Sequence, residues 1–229
     1  MLRTAAHTAG GCGTPARRAR PARHGRQRLP AVARSHARPL GPIRRRALPR
    51  RPRPGKVILC GHSRGGIVVS QAAEEAPEAV DASVYLCAML LPSGLSARGM
   101  EDAAGTQSGF DSIIVPGDGG TTIDITNAIP IFAQSSPADA AAAAMQRLVP
   151  EPDIPRATPL HLTAGRYGKV PRHYIECLHD RTIPLADQRM MQAIEPCASV
   201  HALEADHSPF LSAPDALADA LCEIAETLE

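Results

Sequence analysis

Lys56-Val57-Ile58-Leu59-Cys60-Gly61-His62-Ser63-Arg64-Gly65-Gly66-Ile67 is the stretch that decides how this chain is read. The unbroken apolar run Val57 to Cys60 has the pattern of a strand buried on both faces of a parallel sheet. Gly61 to Gly66 make a turn, and Ile67 to Ala76 read as a helix stopped by Pro77. The pentapeptide Gly61 to Gly65 is a G-x-S-x-G, and its place between strand and helix gives it chemical meaning. A sharp bend flanked by small residues lifts the Ser63 hydroxyl to the carboxyl end of the strand. The helix N-terminus beneath it favours a developing negative charge. Ser63 is therefore the candidate nucleophile and the Arg64 backbone N–H the candidate oxyanion donor, while Gly66 allows close helix-to-sheet packing. The competing reading is a glycine-rich turn with an incidental serine, and the choice between the two rests on partners.

Downstream of this stretch the pattern stays α/β. Ser83 to Leu90 reads as a second buried strand. Residues 93 to 170 lose the strand-helix alternation and are expected to form an inserted lid. Its one clear helix runs from Ala138 to Leu148, with Ser136 as cap, Pro137 in the first turn and Pro150 beyond its end. The alternation resumes with a strand at His173 to Cys177, a helix at Leu185 to Ile194, a strand at Ser199 to Leu203 and a helix at Pro214 to Leu228.

A serine nucleophile needs a base, and the base needs an orienting acid. His207, in Glu204-Ala205-Asp206-His207-Ser208-Pro209-Phe210, follows the last strand and can turn back over the sheet edge. Asp180, in Cys177-Leu178-His179-Asp180-Arg181-Thr182, follows the strand before it. Its carboxylate can accept the imidazole N–H and hold the tautomer that takes the serine proton. The order Ser63, Asp180, His207 is the one this kind of motif uses. Asp206 adjoins His207, but neighbours in sequence seldom aim side chains at each other, so it is expected to satisfy loop amides. His62 is likewise too close to Ser63 to serve as its base, and His173 and His179 receive no role.

Composition restricts the alternatives. Residues 1 to 54 hold fifteen Arg, eight Pro and no acid, leaving 10 basic and 23 acidic residues in 55 to 229. The first segment has no helical or strand period and too little apolar area to offset chain entropy, so it is expected to be a disordered extension. Arg, Pro, Ala and Gly are also what GC-rich DNA yields in a wrong frame, and the abrupt change at Gly55 favours that reading. No aromatic or Lys is interleaved, so no nucleic-acid partner is expected. The longest uncharged stretch, Ala82 to Ala97, contains Pro92 and Gly94 and is too short for a membrane span. Six Cys without a C-x-x-C pair, and no secretory signal pattern, lead to the expectation of a reduced, cytoplasmic setting. Neither a metal nor a cofactor is expected: Cys177 and His179 lack zinc-ligand spacing, and Gly117-Asp118-Gly119-Gly120 reads as a turn, not a phosphate loop.

With GHSRGG, YLCAMLLPSG, HYIECLHDRTIP and ADHSPFLSAP in order, residues 56 to 229 resemble an α/β-hydrolase of the plant methylesterase and hydroxynitrile lyase group and its bacterial relatives. The resemblance implies a mostly parallel sheet flanked by helices, with a small cap at about 93 to 170. It matches Ser63 to the nucleophile, Asp180 to the triad acid and His207 to the base. It implies hydrolysis of a small-molecule carboxylic ester; the lyases of the group typically carry Lys after the catalytic His, and this chain has Ser208 there.

The resemblance also implies earlier strands and a His-Gly loop supplying a second oxyanion donor. Residues 1 to 54 offer only His24-Gly25, flanked by Arg without an apolar strand. The expectation is a partial domain over 55 to 229, with the strand at Val57 exposing one long edge through which copies can associate. Loss of an oxyanion donor costs roughly a hundred- to a thousand-fold in turnover, so an impaired enzyme or a non-catalytic, small-molecule-binding homologue is the alternative outcome.

Overall fold

The computed structural model describes residues 57–106, 108–117 and 120–228. Four parallel strands, β1 (Val57–His62), β2 (Val80–Leu86), β6 (Arg172–Cys177) and β7 (Ser199–Leu203), form a sheet in the order β1-β2-β6-β7. The inner strands are buried nearly throughout, whereas β7 alternates and β1 is mostly half-buried, with Ile58 39% exposed. That difference is what helices on both faces and open flanks produce in a parallel sheet. Among the described residues β1 has a partner on one side only.

Alternating side chains send the two faces of the sheet into separate cores. Tyr85 and Tyr174 enter one, with Ile67, Val69, Leu90 and Met191. Val84, Leu86, Ile175 and Cys177 enter the other, with Leu203, Leu217 and Ile224. Helices α1 (Gly65–Glu75) and α6 (Leu185–Ile194) supply the first face and α8 (Pro214–Glu226) the second. A short helix, α7 (Pro209–Ser212), precedes α8.

Between β2 and β6 lies the cap. It contains α2 (Ala97–Ala104), α3 (Ile125–Phe132), α4 (Ala138–Met145) and the one-turn α5 (Ile154–Ala157). It also contains a three-stranded antiparallel sheet of β3 (Ile114–Gly117), β4 (Gly120–Ile123) and β5 (Glu151–Pro152). The lid is therefore more regular than its composition suggests. Gly117 stands opposite Gly120, so the Gly-Asp-Gly-Gly stretch closes a hairpin, its two central residues lying outside the described ones.

Several boundaries differ from the sequence reading, the second strand beginning at Val80 and not at Ser83 among them, and two of the differences have a physical reason. The second strand ends at Leu86 and not at Leu90, because Cys87 turns out of it with φ 35°. The next residues stay buried without a ladder: Ala88 exchanges hydrogen bonds with the Tyr174 hydroxyl (3.0 and 2.8 Å), and the Met89 N–H donates to the Ser63 carbonyl (3.0 Å). The helix expected at Ala138 to Leu148 ends at Met145, and its N-cap is Pro137. Ser136 does not cap it, because its hydroxyl is drawn to the carboxylate of Asp206. Residues 1 to 54, including His24-Gly25, lie outside the described residues, and the expectations for them with them.

Candidate active site

All three candidates project from the carboxyl ends of sheet strands, the rim where parallel α/β sheets bind ligands. Ser63 follows β1 with φ 54°, a left-handed conformation that a non-glycine residue adopts only when its surroundings enforce it. Two glycines enforce the turn. A Cβ on Gly61 would lie 2.6 Å from the Gly65 backbone, and one on Gly66 would lie 2.2 Å from the Met89 carbonyl oxygen. The chain therefore folds back on itself more tightly than any side chain allows, and α1 starts directly under the serine. Arg64 is the N-cap of α1, which puts its amide at the positive end of that helix.

His207, 144 positions away, brings Nε2 to 3.0 Å from Ser63 Oγ and Nδ1 to 2.7 Å from Asp180 Oδ2. The other carboxylate oxygen of Asp180 accepts the N–H groups of Thr182 (2.7 Å) and Ile183 (2.9 Å). An acceptor-only carboxylate at Nδ1 requires the proton there, which leaves the Nε2 lone pair free to receive the serine hydroxyl proton. Asp180 and His207 side chains are 0% and 4% exposed, so this pair works in a medium of low dielectric. The structure thus brings together Ser63, Asp180 and His207, with Arg64 beside them.

The competitors sit elsewhere. His179 faces outward and pairs with Glu204, and His173 bonds the Ser199 hydroxyl (2.8 Å) at the opposite end of β6. Asp206 is fully buried and accepts four hydrogen bonds. Ser208 N–H and Ser212 O–H reach one oxygen (both 2.9 Å); Ser135 N–H (2.8 Å) and Ser136 O–H (3.0 Å) reach the other. It satisfies loop amides as expected, and it also ties the cap to the histidine loop, which no local sequence signal reveals.

His62 is closer to the chemistry than its sequence position suggests. Its Nε2–H donates to the backbone carbonyl of His207 at 2.6 Å, and the two rings lie 4.6 Å apart. Burial first, and the neighbouring His207 second, push its pKa down to about 3. Cys87 approaches the same carbonyl (3.8 Å), and burial raises its thiol pKa well above the ordinary value. Among the described residues His62, Cys87 and His207 are the group with metal-ligating atoms within 4.8 Å of one another. Both His207 nitrogens and the His62 Nε2 are already committed to protein partners.

A cavity of about 460 Å³ opens onto Ser63 and His207. Its walls include Phe110, Phe132 and Phe210, all three phenylalanines of the chain, and Met89, Met100, Met145 and Met191, four of its six methionines. The three tyrosines lie in the core instead. Phe132 also stacks on the His207 ring (5.7 Å). At the mouth the guanidinium groups of Arg64 and Arg156 flank the Phe110 ring at 5.9 and 5.6 Å. Arg64 pairs with Glu151 of β5, and Arg156 holds Glu101 of α2 through two nitrogens. No helix among the described residues is long and apolar enough to cross a membrane.

A parallel sheet with a strained serine turn, a histidine and an aspartate on its carboxyl rim, roofed by an inserted cap, defines the α/β-hydrolase class of fold. Residues 7–220 match the model of the alpha/beta hydrolase family, and the chain belongs to that family. It is 33% identical over 182 residues to the pyrethroid hydrolase of Sphingobium wenxiniae, covering 75% of this chain and 64% of that one. It is 30% identical over 176 residues to methylesterase 17 of Arabidopsis thaliana, covering 71% and 64%. The crystal structure of a pyrethroid hydrolase from Sphingobium faniae JZ-2 superposes with a TM-score of 0.69 at 29% identity, covering 82% of this chain and 76% of that one. The chain thus spans less than two thirds of the length of these two curated relatives.

Proposed function

We propose that this protein hydrolyses carboxylic esters through an acyl-serine intermediate on Ser63. The observation that carries the reading is the unbroken hydrogen-bond chain Asp180–His207–Ser63 opening into the cavity. Ser63 Oγ attacks the ester carbonyl carbon while its proton passes to His207 Nε2. The carbonyl oxygen becomes an oxyanion, stabilised by the Arg64 backbone N–H and the α1 terminus. Collapse breaks the bond to the leaving oxygen, which departs as the alcohol with the proton from His207. Water then repeats the attack on the acyl group, again giving its proton to Nε2, and releases the acid and free Ser63. Asp180 keeps the imidazole in the required tautomer and offsets its transient positive charge.

The lining supports a bulky apolar ester. Phenylalanine and methionine supply broad, adaptable contact area, and about 460 Å³ falls within the range of cavities that enclose drug-sized ligands. The names of the relatives, a pyrethroid hydrolase and a methylesterase, support the reaction class. The test is hydrolysis of a series of p-nitrophenyl esters. The unmodified protein is expected to turn them over, with longer or aromatic acyl groups preferred to acetate, and Ser63→Ala is expected to lose about 10⁴-fold or more in kcat. A Ser63→Ala rate equal to the parent's would refute the assignment.

A further inference from the structure

We infer that His62 is a positioning residue for the base, acting through the backbone of His207; this rests on the reading of Ser63 and His207 given above. The base has three tethers. Asp180 fixes its ring at Nδ1, Phe132 covers one ring face, and His62 holds its peptide carbonyl. The first two constrain rotation of the ring about its own bonds. The third constrains where the backbone of this residue stands relative to the serine turn, with the longer Cys87 thiol contact to the same carbonyl (3.8 Å) beside it.

The place of His62 in the fold gives that tether its leverage. His62 is the last residue of β1 and pairs in register with Leu86 of β2. His207 comes from the loop after β7, and among the described residues β1 and β7 are the outermost strands of the sheet. The ladders β1-β2, β2-β6 and β6-β7 fix the strand ends, but His207 lies four residues beyond β7, in a loop outside them. The 2.6 Å bond from His62 Nε2 to the His207 carbonyl ties that loop directly to the serine turn, one residue from Ser63. Phe210 meets the His62 ring edge-on at 5.2 Å and fixes its plane. Because burial keeps the imidazole neutral, it supplies a donor without placing a second positive charge beside the His207 imidazolium that forms during the reaction.

Misplacing a catalytic group by about 1 Å can cost on the order of 10²-fold in rate. The experiment measures kcat and KM on a p-nitrophenyl ester, and the rate at which a fluorophosphonate labels Ser63, for the parent, His62→Met and His62→Gln. Methionine fills similar space without a donor, whereas the glutamine amide N–H can reach the same carbonyl. His62→Met is expected to slow kcat and labelling by about ten- to a hundredfold with KM within about twofold. His62→Gln is expected to recover to within about threefold of the parent, and both variants should melt within a few degrees of it. A His62→Met protein that labels at the parent rate, or a His62→Gln protein as slow as His62→Met, overturns the inference and leaves the esterase reading intact. A parent whose Ser63 does not label overturns both.

Discussion

The sheet rim and the cap of this molecule are held by different kinds of force. On the rim, Ser63, Asp180 and His207 leave strands with buried neighbours, and their polar atoms end on fixed partners 2.7 to 3.0 Å away. The cap is loosely packed by contrast: β3 is largely exposed, and the fully buried centre of the cap's own cluster is Ile113, Ala128 and Met145. Side-chain pairs such as Arg64–Glu151 and Arg156–Glu101 join its outer part to the elements around the cavity mouth. Partly exposed ion pairs of this sort contribute about 0 to 1 kcal/mol each. The proposed chemistry thus sits on the more deeply buried side and much of the cavity wall on the more exposed side, with Asp206 a buried joint between them.

Three substitutions sharpen that contrast, beginning with the largest expected effect. Gly66→Ala drives a methyl into the Met89 carbonyl, backbone against backbone, and is expected to cost more than about 3 kcal/mol in denaturant unfolding. A loss under about 1 kcal/mol would show that the rim yields as the cap does. Asp206→Asn keeps the shape but turns an amide group toward two of its four hydrogen-bond donors, for an expected loss of about 2 to 3 kcal/mol. Fluorescence-monitored unfolding checks it, and an unchanged midpoint would remove Asp206 as a joint. Glu101→Gln weakens a cap pair and is expected to cost no more than about 1 kcal/mol, with its main signature a shift in KM between long and short acyl esters. A stability loss as large as that of Asp206→Asn would erase the distinction between the two regions.

Much of the rim was legible in the sequence because parallel strands announce themselves as apolar runs and place functional side chains at their ends. Ser63 follows such a run, whereas the strands before Asp180 and His207 carry polar residues such as Glu176 and His201 and are marked by their place in the strand-helix alternation. The end of β2 was not legible, since Cys87 to Leu91 are as apolar and as buried as the strand; Cys87 N–H still reaches the Ile175 carbonyl (2.8 Å), but Ala88 and Met89 beyond it are held by Tyr174 and Ser63 and not by a ladder. Ser136 carried a capping signal that a buried carboxylate outcompeted. The cap strands are short and rich in Gly, Pro and Thr, so no period marked them. The position of His62 beside Ser63 in sequence hides its contact with His207. Its partner is a backbone carbonyl 145 positions away, and a main-chain acceptor leaves no trace in residue identity.

The central claim is that Ser63 becomes covalently acylated with His207 as its base. Intact-protein mass spectrometry of an acid-quenched reaction with a slowly deacylating ester tests it most directly. One acyl mass per chain is expected, located on the peptide containing Ser63 and lost in both Ser63→Ala and His207→Ala. Ester turnover with no adduct, or with the adduct on another residue, would contradict the account.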